Sequence, residues 1–437
     1  MTHYSALSAT FPGFLLALLI GCADKGPEDP GTPSAGTGGT GGTAGVASGG
    51  AGSGGTGAGG AGAGGTAAAG AGSGGTTPVG GAGGSSGAGA GGGGAGAGSA
   101  GSGGSAGAPS GDCSVPATQA DQPTRLSQTG CVDPSDPKKA AALLLPYEVN
   151  SPLWSDGAAK QRFIKLPAGA KIHVKNCAAE PDSCMPAESG GSAEDEGHWG
   201  LPVGTVLMKT FAIGGKLIET RLLMHTAGTT WRGYSYEWND TETEATLLAD
   251  GKDKDLGDQT WHYPSPSECL QCHTKEGGRS LGPTTAQMNR EFAYSDGAMN
   301  QIEKFTALGL FDAAPPMIDA YPDPYGSADL ETRARSYMQT NCSICHRAGG
   351  ALSDVDLRFV VPFAETNLCN EPVVRGTGDP ALPQTRLVPG SPEQSSLSFR
   401  MHDTTDYRMP KIGSEVVDTA GSALIDEWIT SITSCPP

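Results

Sequence analysis

The sequence predicts an α+β fold in which a β-rich region precedes a small helical one. Three observations predict it. From residue 146 to about 263 the chain reads as strands: Val203–Ile213 is an apolar, Thr-containing run, Lys216–Thr226 follows a Gly-Gly pair, and Thr230–Asn239 alternates with the period of a strand. Asp329–Thr340 and Asp418–Ser431 instead repeat apolar residues three and four apart, the period of a helix. Each region also carries one Cys-x-x-Cys-His pentapeptide. Cys269-Leu270-Gln271-Cys272-His273 closes the first, and Cys342-Ser343-Ile344-Cys345-His346 follows the first helix of the second.

Taken from the N-terminus, Phe14–Ile20 is a short apolar run ending at Leu19-Ile20-Gly21-Cys22. That pattern resembles a bacterial lipobox, so residues 1–22 are expected to be a lipoprotein signal with Cys22 as the lipidated residue. The segment before the run has only His3 as a basic group, and an ordinary signal peptide is the alternative. No other stretch is long and apolar enough to span a bilayer, so anchoring by lipid is expected, at the periplasmic or outer-membrane side of the cell envelope. Residues 23–111 are read as a tether. Positions 30–111 hold no charged side chain and more than half of the chain's 69 glycines. Gly, Ala, Ser and Thr cannot bury enough apolar surface to offset the entropy of ordering. The repeats lack a collagen triplet. As a random coil such a tether spans about 50 Å.

Residues 112–325 are expected to form the β-rich domain. Gly214-Gly215 marks a hairpin between its first two strands. Alternation puts Tyr234, Tyr236 and Trp238 on one face, read as sheet core, with a cofactor wall as the alternative. Glu180–Gly197 and Leu247–Gln259 read as polar loops. Pro264 and Pro266 end the preceding strand. A short helix is expected near Ser267 as N-cap, with Glu268 in its first turn. Residues 326–437 form the helical domain. Its first helix presents Leu330, Ala334, Tyr337 and Met338 on one face. Its last presents Leu424, Ile425, Trp428 and Ile429, with Asp418 as a cap.

The net charge is −18. Such acidity disfavours nucleic acid and anionic surfaces and favours basic protein partners, unless it serves solubility alone. Of eleven cysteines, setting aside Cys22 and the four motif thiols leaves Cys113, Cys131, Cys177, Cys184, Cys369 and Cys435. An even remainder in an exported chain suggests three disulfides. Proximity suggests Cys113–Cys131 and Cys177–Cys184, leaving Cys369–Cys435.

Cys-x-x-Cys-His is the spacing at which c-type haem is attached: two thiols add across the haem vinyl groups and the next His meets the iron. The sequence therefore predicts two covalent haem c groups, on Cys269 and Cys272 with His273, and on Cys342 and Cys345 with His346. A closed zinc site from four thiolates is the alternative, but zinc does not require a His after each pair. For the second iron, Met409, followed by Pro410, is the expected sixth ligand, ahead of Met401 and His402; a thioether raises the potential. For the first iron the candidates are Met288, Met299, His198, His225 and His262, or an open position.

A helix feeding Cys-x-x-Cys-His, a downstream Met-Pro and a C-terminal amphipathic helix resemble class I cytochrome c. More widely, residues 143–432 resemble a family of exported bacterial di-haem c-type cytochromes. The resemblance rests on Leu145–Gly157, Pro202–Leu207, Gly233–Asp240, Glu268–Thr274 and Asn341–Arg347. It implies haem binding and electron transfer with redox partner proteins, and its pattern has Leu where this chain has Met288. The strand Gly204-Thr205-Val206-Leu207-Met208-Lys209 ahead of a haem motif also looks like cytochromes of the c-prime-beta fold. That likeness implies an open first iron with Lys209 near it; an exposed strand lysine is the alternative. The expected function is electron transfer. A di-haem peroxidase or small-molecule reductase is the rival.

Overall fold

Alternating side chains and two-residue turns build most of the first region. A computed structural model of the protein describes residues 112–174 and 197–437. Cys22, the tether, the Cys177–Cys184 pair and nearly all of the Glu180–Gly197 loop lie outside the described residues. In chain order, β1 (Val132–Asp133) pairs with β2 (Asp136–Ala140), and β3 (Leu145–Tyr147) and β4 (Ala159–Lys165) follow. Then β5 (His173–Val174) pairs with β6 (Trp199–Gly200). Next come β7 (Val206–Ile213), β8 (Lys216–Ala227), β9 (Thr230–Trp238) and β10 (Ala245–Leu247). An antiparallel sheet of six strands runs in the order β10-β9-β8-β7-β4-β3. Gly214 and Gly215, both with positive φ, close the β7–β8 turn, where a Cβ would be strained.

The two faces of this sheet differ. One packs Met208, Leu222, Tyr234, Tyr236 and Trp238 into a core with Leu126 and the Cys113–Cys131 disulfide. The three aromatics are therefore sheet core, as alternation implies. The opposite face carries Ile164, Leu207 and Leu223 in one row and charged residues in the next two. The chain brings its first Cys-x-x-Cys-His motif to this second face.

Leu247–Gln259 differs from the expected loop. β11 (Lys252–Asp255) pairs with β12 (Thr260–Tyr263) as a hairpin. Its polar composition hid it. Trp261 and Tyr263 anchor one strand in a small core with Phe211, while Lys252 and Lys254 of the other reach Glu237 at 2.6 and 3.2 Å. α1 (Pro266–Cys272) begins two residues earlier than expected. Ser265, not Ser267, is its N-cap, in a capping box with Glu268, and Pro266 takes the first helical position, where no N–H is needed.

Between the motifs lie α2 (Thr285–Met288), the hairpin β13 (Glu291–Tyr294) with β14 (Gly297–Asn300), and α3 (Gln301–Ala307). Beyond them, α4 (Leu330–Asn341), α5 (Ser396–His402) and α6 (Thr419–Ser431) are joined by long irregular segments. α4 and α6 bury the expected faces together, Ala334, Tyr337 and Met338 against Leu424, Ile425, Trp428 and Ile429. Gly421 permits the approach, since a Cβ there would lie 2.4 Å from the Tyr337 ring. Asp418 caps α6 through the Gly421 N–H (2.9 Å) and accepts from the Tyr337 hydroxyl (3.0 Å). Cys369–Cys435 ties the final residues to a loop of the same region.

The segment 150–157 stitches the sheet region to the helices. Ser151 Oγ donates to Ser336 O (2.9 Å), and Trp154 N donates to Asn341 Oδ1 (2.7 Å). Trp154 Nε1 donates to Val416 O (3.1 Å), and Asp156 Oδ1 accepts from Val416 N (2.9 Å). Gln287 on α2 adds a bond to Thr340 Oγ1 (2.9 Å). All described residues belong to one compact unit. No described helix is long and apolar enough to cross a membrane.

Candidate haem-attachment site

α1 delivers the first motif to the sheet. Its capping box fixes where the helix starts, and it packs across β9 at Gly233. The absence of a side chain there is required: a Cβ on Gly233 would sit 2.6 Å from Cys269 Cβ and 2.7 Å from its Sγ. His273 follows as C-cap. Its Nδ1 lies 2.5 Å from the backbone O of Arg279. A carbonyl only accepts, so Nδ1 carries the proton and Nε2 keeps its lone pair. Burial pushes the His273 pKa down to about 3, with Lys209, Arg221 and Arg279 adding to the effect, so the ring is neutral.

α4 delivers the second motif in the same way. Cys342 is its C-cap, and His346 N bonds back to Cys342 O at 3.0 Å. His346 is neutral as well, pushed down to about 4 by burial, and its Nδ1 is buried without a hydrogen-bond partner. Arg375, Arg386 and Arg400 are close enough to act on it, opposed by Asp354.

The four motif thiols are free, whereas Cys113–Cys131 and Cys369–Cys435 are joined. Burial raises the pKa of all four, to about 11 at Cys272 and about 12 at Cys342. The two motifs, 73 residues apart in the chain, act on each other electrostatically: a charge on Cys345 contributes to the upward shift at Cys272. Among the described residues, no three His, Cys, Asp or Glu side chains converge as a metal site, so the four thiols do not form a closed zinc set.

Met409 lies on the loop after α5, its N–H bonded to Arg400 O (2.9 Å). It lines a small cleft with Trp154, Tyr337, Met401 and Asp418; His346 is not among the lining residues. Met401 is buried in the helical core. His402 Nε2 is 2.8 Å from Asp426 on the exposed side.

The candidates for the first iron are mostly committed elsewhere. Met288 is fully buried with Ile164, Leu207 and Leu223. Met299 is exposed on β14. His225 uses both ring nitrogens, on Leu201 O (2.8 Å) and Gly228 O (2.6 Å), and stacks on Trp231. His198 packs its ring against Gly278, in the loop that also supplies Arg279 O.

His262 sits between Asp253 (2.6 Å) and Glu268 (3.2 Å), tying β12 to the capping box of α1. Burial pulls its pKa down, but the two carboxylates outweigh that and the net shift is upward from 6.5. A raised folded-state pKa adds stability below the ordinary value, and that stability is lost as pH rises through the raised one. His262→Ala is therefore expected to cost up to about 1 kcal/mol at pH 5.5 and less at pH 9. Thermal melts of both proteins at the two pH values check it.

Sequence reasoning named the motifs, and one resemblance placed Lys209 near the first of them, but it missed Arg162 and Arg221. Arg162 on β4, Lys209 on β7 and Arg221 on β8 stand directly opposite one another on the sheet. Arg221 is held by Glu219 at 2.7 and 2.8 Å, and Glu219 also accepts from Trp261 Nε1 (3.0 Å). Arg221 and Lys209 both act electrostatically on Cys272. Lys209 is thus half-buried beside the motif rather than an exposed strand lysine. The available signal was the strand period itself, which puts 207, 209 and 211 on one face.

Compared with protein-family models, curated proteins and solved structures, the chain matches none.

Proposed function

We propose that the protein is a lipid-anchored di-haem c-type cytochrome that transfers electrons in the cell envelope. The observation that carries this is the pair of Cys-x-x-Cys-His motifs at two helix ends, with all four thiols unpaired while Cys113–Cys131 and Cys369–Cys435 are joined. The surrounding residues fit the group. Gly233 lets α1 seat Cys269 closely against β9, and His273 is held in the tautomer that offers Nε2. When bound, haem supplies an iron that gains and loses one electron.

In this reading Cys269 and Cys272, and Cys342 and Cys345, tether the two groups, and His273 and His346 are the proximal ligands. Met409 is the sixth ligand at the second site, and Cys22 carries the lipid. The buried pairing of α4 with α6 supports a class I cytochrome c-like helical domain. The electrostatic influence of Cys345 on Cys272 supports exchange between the two groups. The acidic chain suits basic redox partners.

One observation favours a second reading, a peroxidase or small-molecule reductase. Of the ligands expected for the first iron, Met288 and His225 are spent on packing and backbone bonds, and the residues facing the motif are Lys209 and Arg221. That reading takes the first iron as open.

The test is the optical spectrum of the purified protein, oxidised and reduced, with and without carbon monoxide. Two low-spin haems with no carbon monoxide shift support the electron carrier. One high-spin haem that shifts with carbon monoxide supports the enzyme. A preparation matured with a haem c assembly system and lacking covalent haem overturns both.

A further inference from the structure

The charged rows on the second sheet face are a place where the fold works against its own electrostatics. Like charges directly opposite on neighbouring strands are destabilising. Yet Arg162, Lys209 and Arg221 occupy one cross-strand row on β4, β7 and β8, and Lys160 stands in the next row of β4. Lys160 and Lys209 are both pushed down to about 7, by burial first and then by the neighbouring cations. Among the described residues, two carboxylates serve these four cations. Glu148 holds Arg162 at 2.7 Å, and Glu219 holds Arg221. Lys160 Nζ donates to Ala158 O (3.0 Å), and Lys209 Nζ lies 6.0 Å from the Phe211 ring, with no carboxylate on either. In a chain of net charge −18, acidic partners were abundant, yet neither lysine forms an ion pair with one among the described residues.

The placement of the row gives it a purpose. Cys269 stands over Gly233 on β9, and Cys272 is within electrostatic reach of Lys209 and Arg221. From β9 across β8 and β7 to β4 is three strand spacings, about 14 Å, the scale of a porphyrin with its side chains. A group tethered at α1 and lying on this face would pass over Leu223 and Leu207 and meet the cationic row.

From this we infer that the row Arg162–Lys209–Arg221 is an anion-binding wall of the first Cys-x-x-Cys-His site, taking a carboxylate or small oxyanion with Lys209 as its central donor. The inference rests on haem being attached at Cys269 and Cys272. The anion has two sources, a propionate of that haem or a free oxyanion brought to it. A charge-assisted bond to Lys209 supplies the partner that the chain withholds.

The experiment uses the full chain matured with a haem c assembly system, with haem counted first by intact mass. The variants are Lys209→Gln, Arg162→Gln and the conservative Lys209→Arg. Sodium nitrite is titrated while the Soret band is followed, and midpoint potentials and the carboxylate infrared bands are recorded. With a free oxyanion, nitrite shifts the spectrum saturably, Lys209→Gln weakens that binding about tenfold, and Lys209→Arg restores most of it. With a propionate, nitrite has no effect, but Lys209→Gln and Arg162→Gln lower one midpoint potential and shift a carboxylate band, whereas Lys209→Arg does neither. If both Gln variants carry two haems and leave nitrite binding, potentials and bands unchanged, the inference is overturned. If no haem is attached, the cytochrome reading fails instead. The wall is then tested alone by calorimetry with inorganic phosphate, and absence of Lys209-dependent binding overturns it.

Discussion

Replacing Cys269 and Cys272 together by Ala is expected to remove one covalent haem and leave the other. The same change at Cys342 and Cys345 should remove the opposite one. The motifs sit on separate helices, each with its own cap and its own packing, α1 on β9 and α4 on α6. Loss of one tether therefore leaves the other attachment intact. The measurement is intact mass with the alkaline pyridine spectrum, which should fall to about half the wild-type haem content in each double variant. Retention of full covalent haem in either one would break the assignment of thiols to haems. The pair of variants also separates the two groups spectroscopically. The Met-ligated signature should vanish with Cys342 and Cys345 and persist without Cys269 and Cys272.

The second large effect is expected at Gly233. A side chain there would overlap Cys269 Cβ and Sγ, neither of which is the far end of a flexible chain, so α1 must lift from β9. Gly233→Val is expected to cost about 1–3 kcal/mol of stability, as overpacking does, and to lower haem attachment at the first motif while sparing the second. Thermal unfolding gives the first number, and mass spectrometry of the matured chain gives the second. Gly228 is the control: it sits on an open turn with a positive φ of 51°, and a Cβ added there would meet no atom within 4 Å. Gly228→Asn should leave haem content unchanged.

Much of this was legible in the chain. The β7–β8 hairpin was written in Gly214-Gly215, the α4 and α6 faces in their spacing, and the tyrosines of β9 in their alternation. Such features depend on residues close in sequence. The β11–β12 hairpin was not legible, because its strands are held by Trp261 and Tyr263 on one side and by lysines reaching Glu237 on the other. A run rich in Asp and Lys reads as a loop until those partners are known. The cap of α1 was misplaced by two residues although Ser265-Pro266-Ser267-Glu268 carries the capping-box spacing with Pro at the first helical position; in the fold Glu268 reaches back to Ser265 N at 2.8 Å.

What the sequence determined by itself is the chemistry that local spacing carries: two thiol pairs with a following His, and the order of strands and helices that present them. Covalent spacing is a property of the chain, so no fold is needed to read it. What only the tertiary structure decided is what surrounds each motif. Gly233, Arg279, Lys209 and Arg221 come from separate strands and a loop, and Cys345 acts on Cys272 from 73 residues away in the chain. Their proximity follows from sheet register and from the bonds of segment 150–157, which join residues far apart in sequence and which no local pattern encodes.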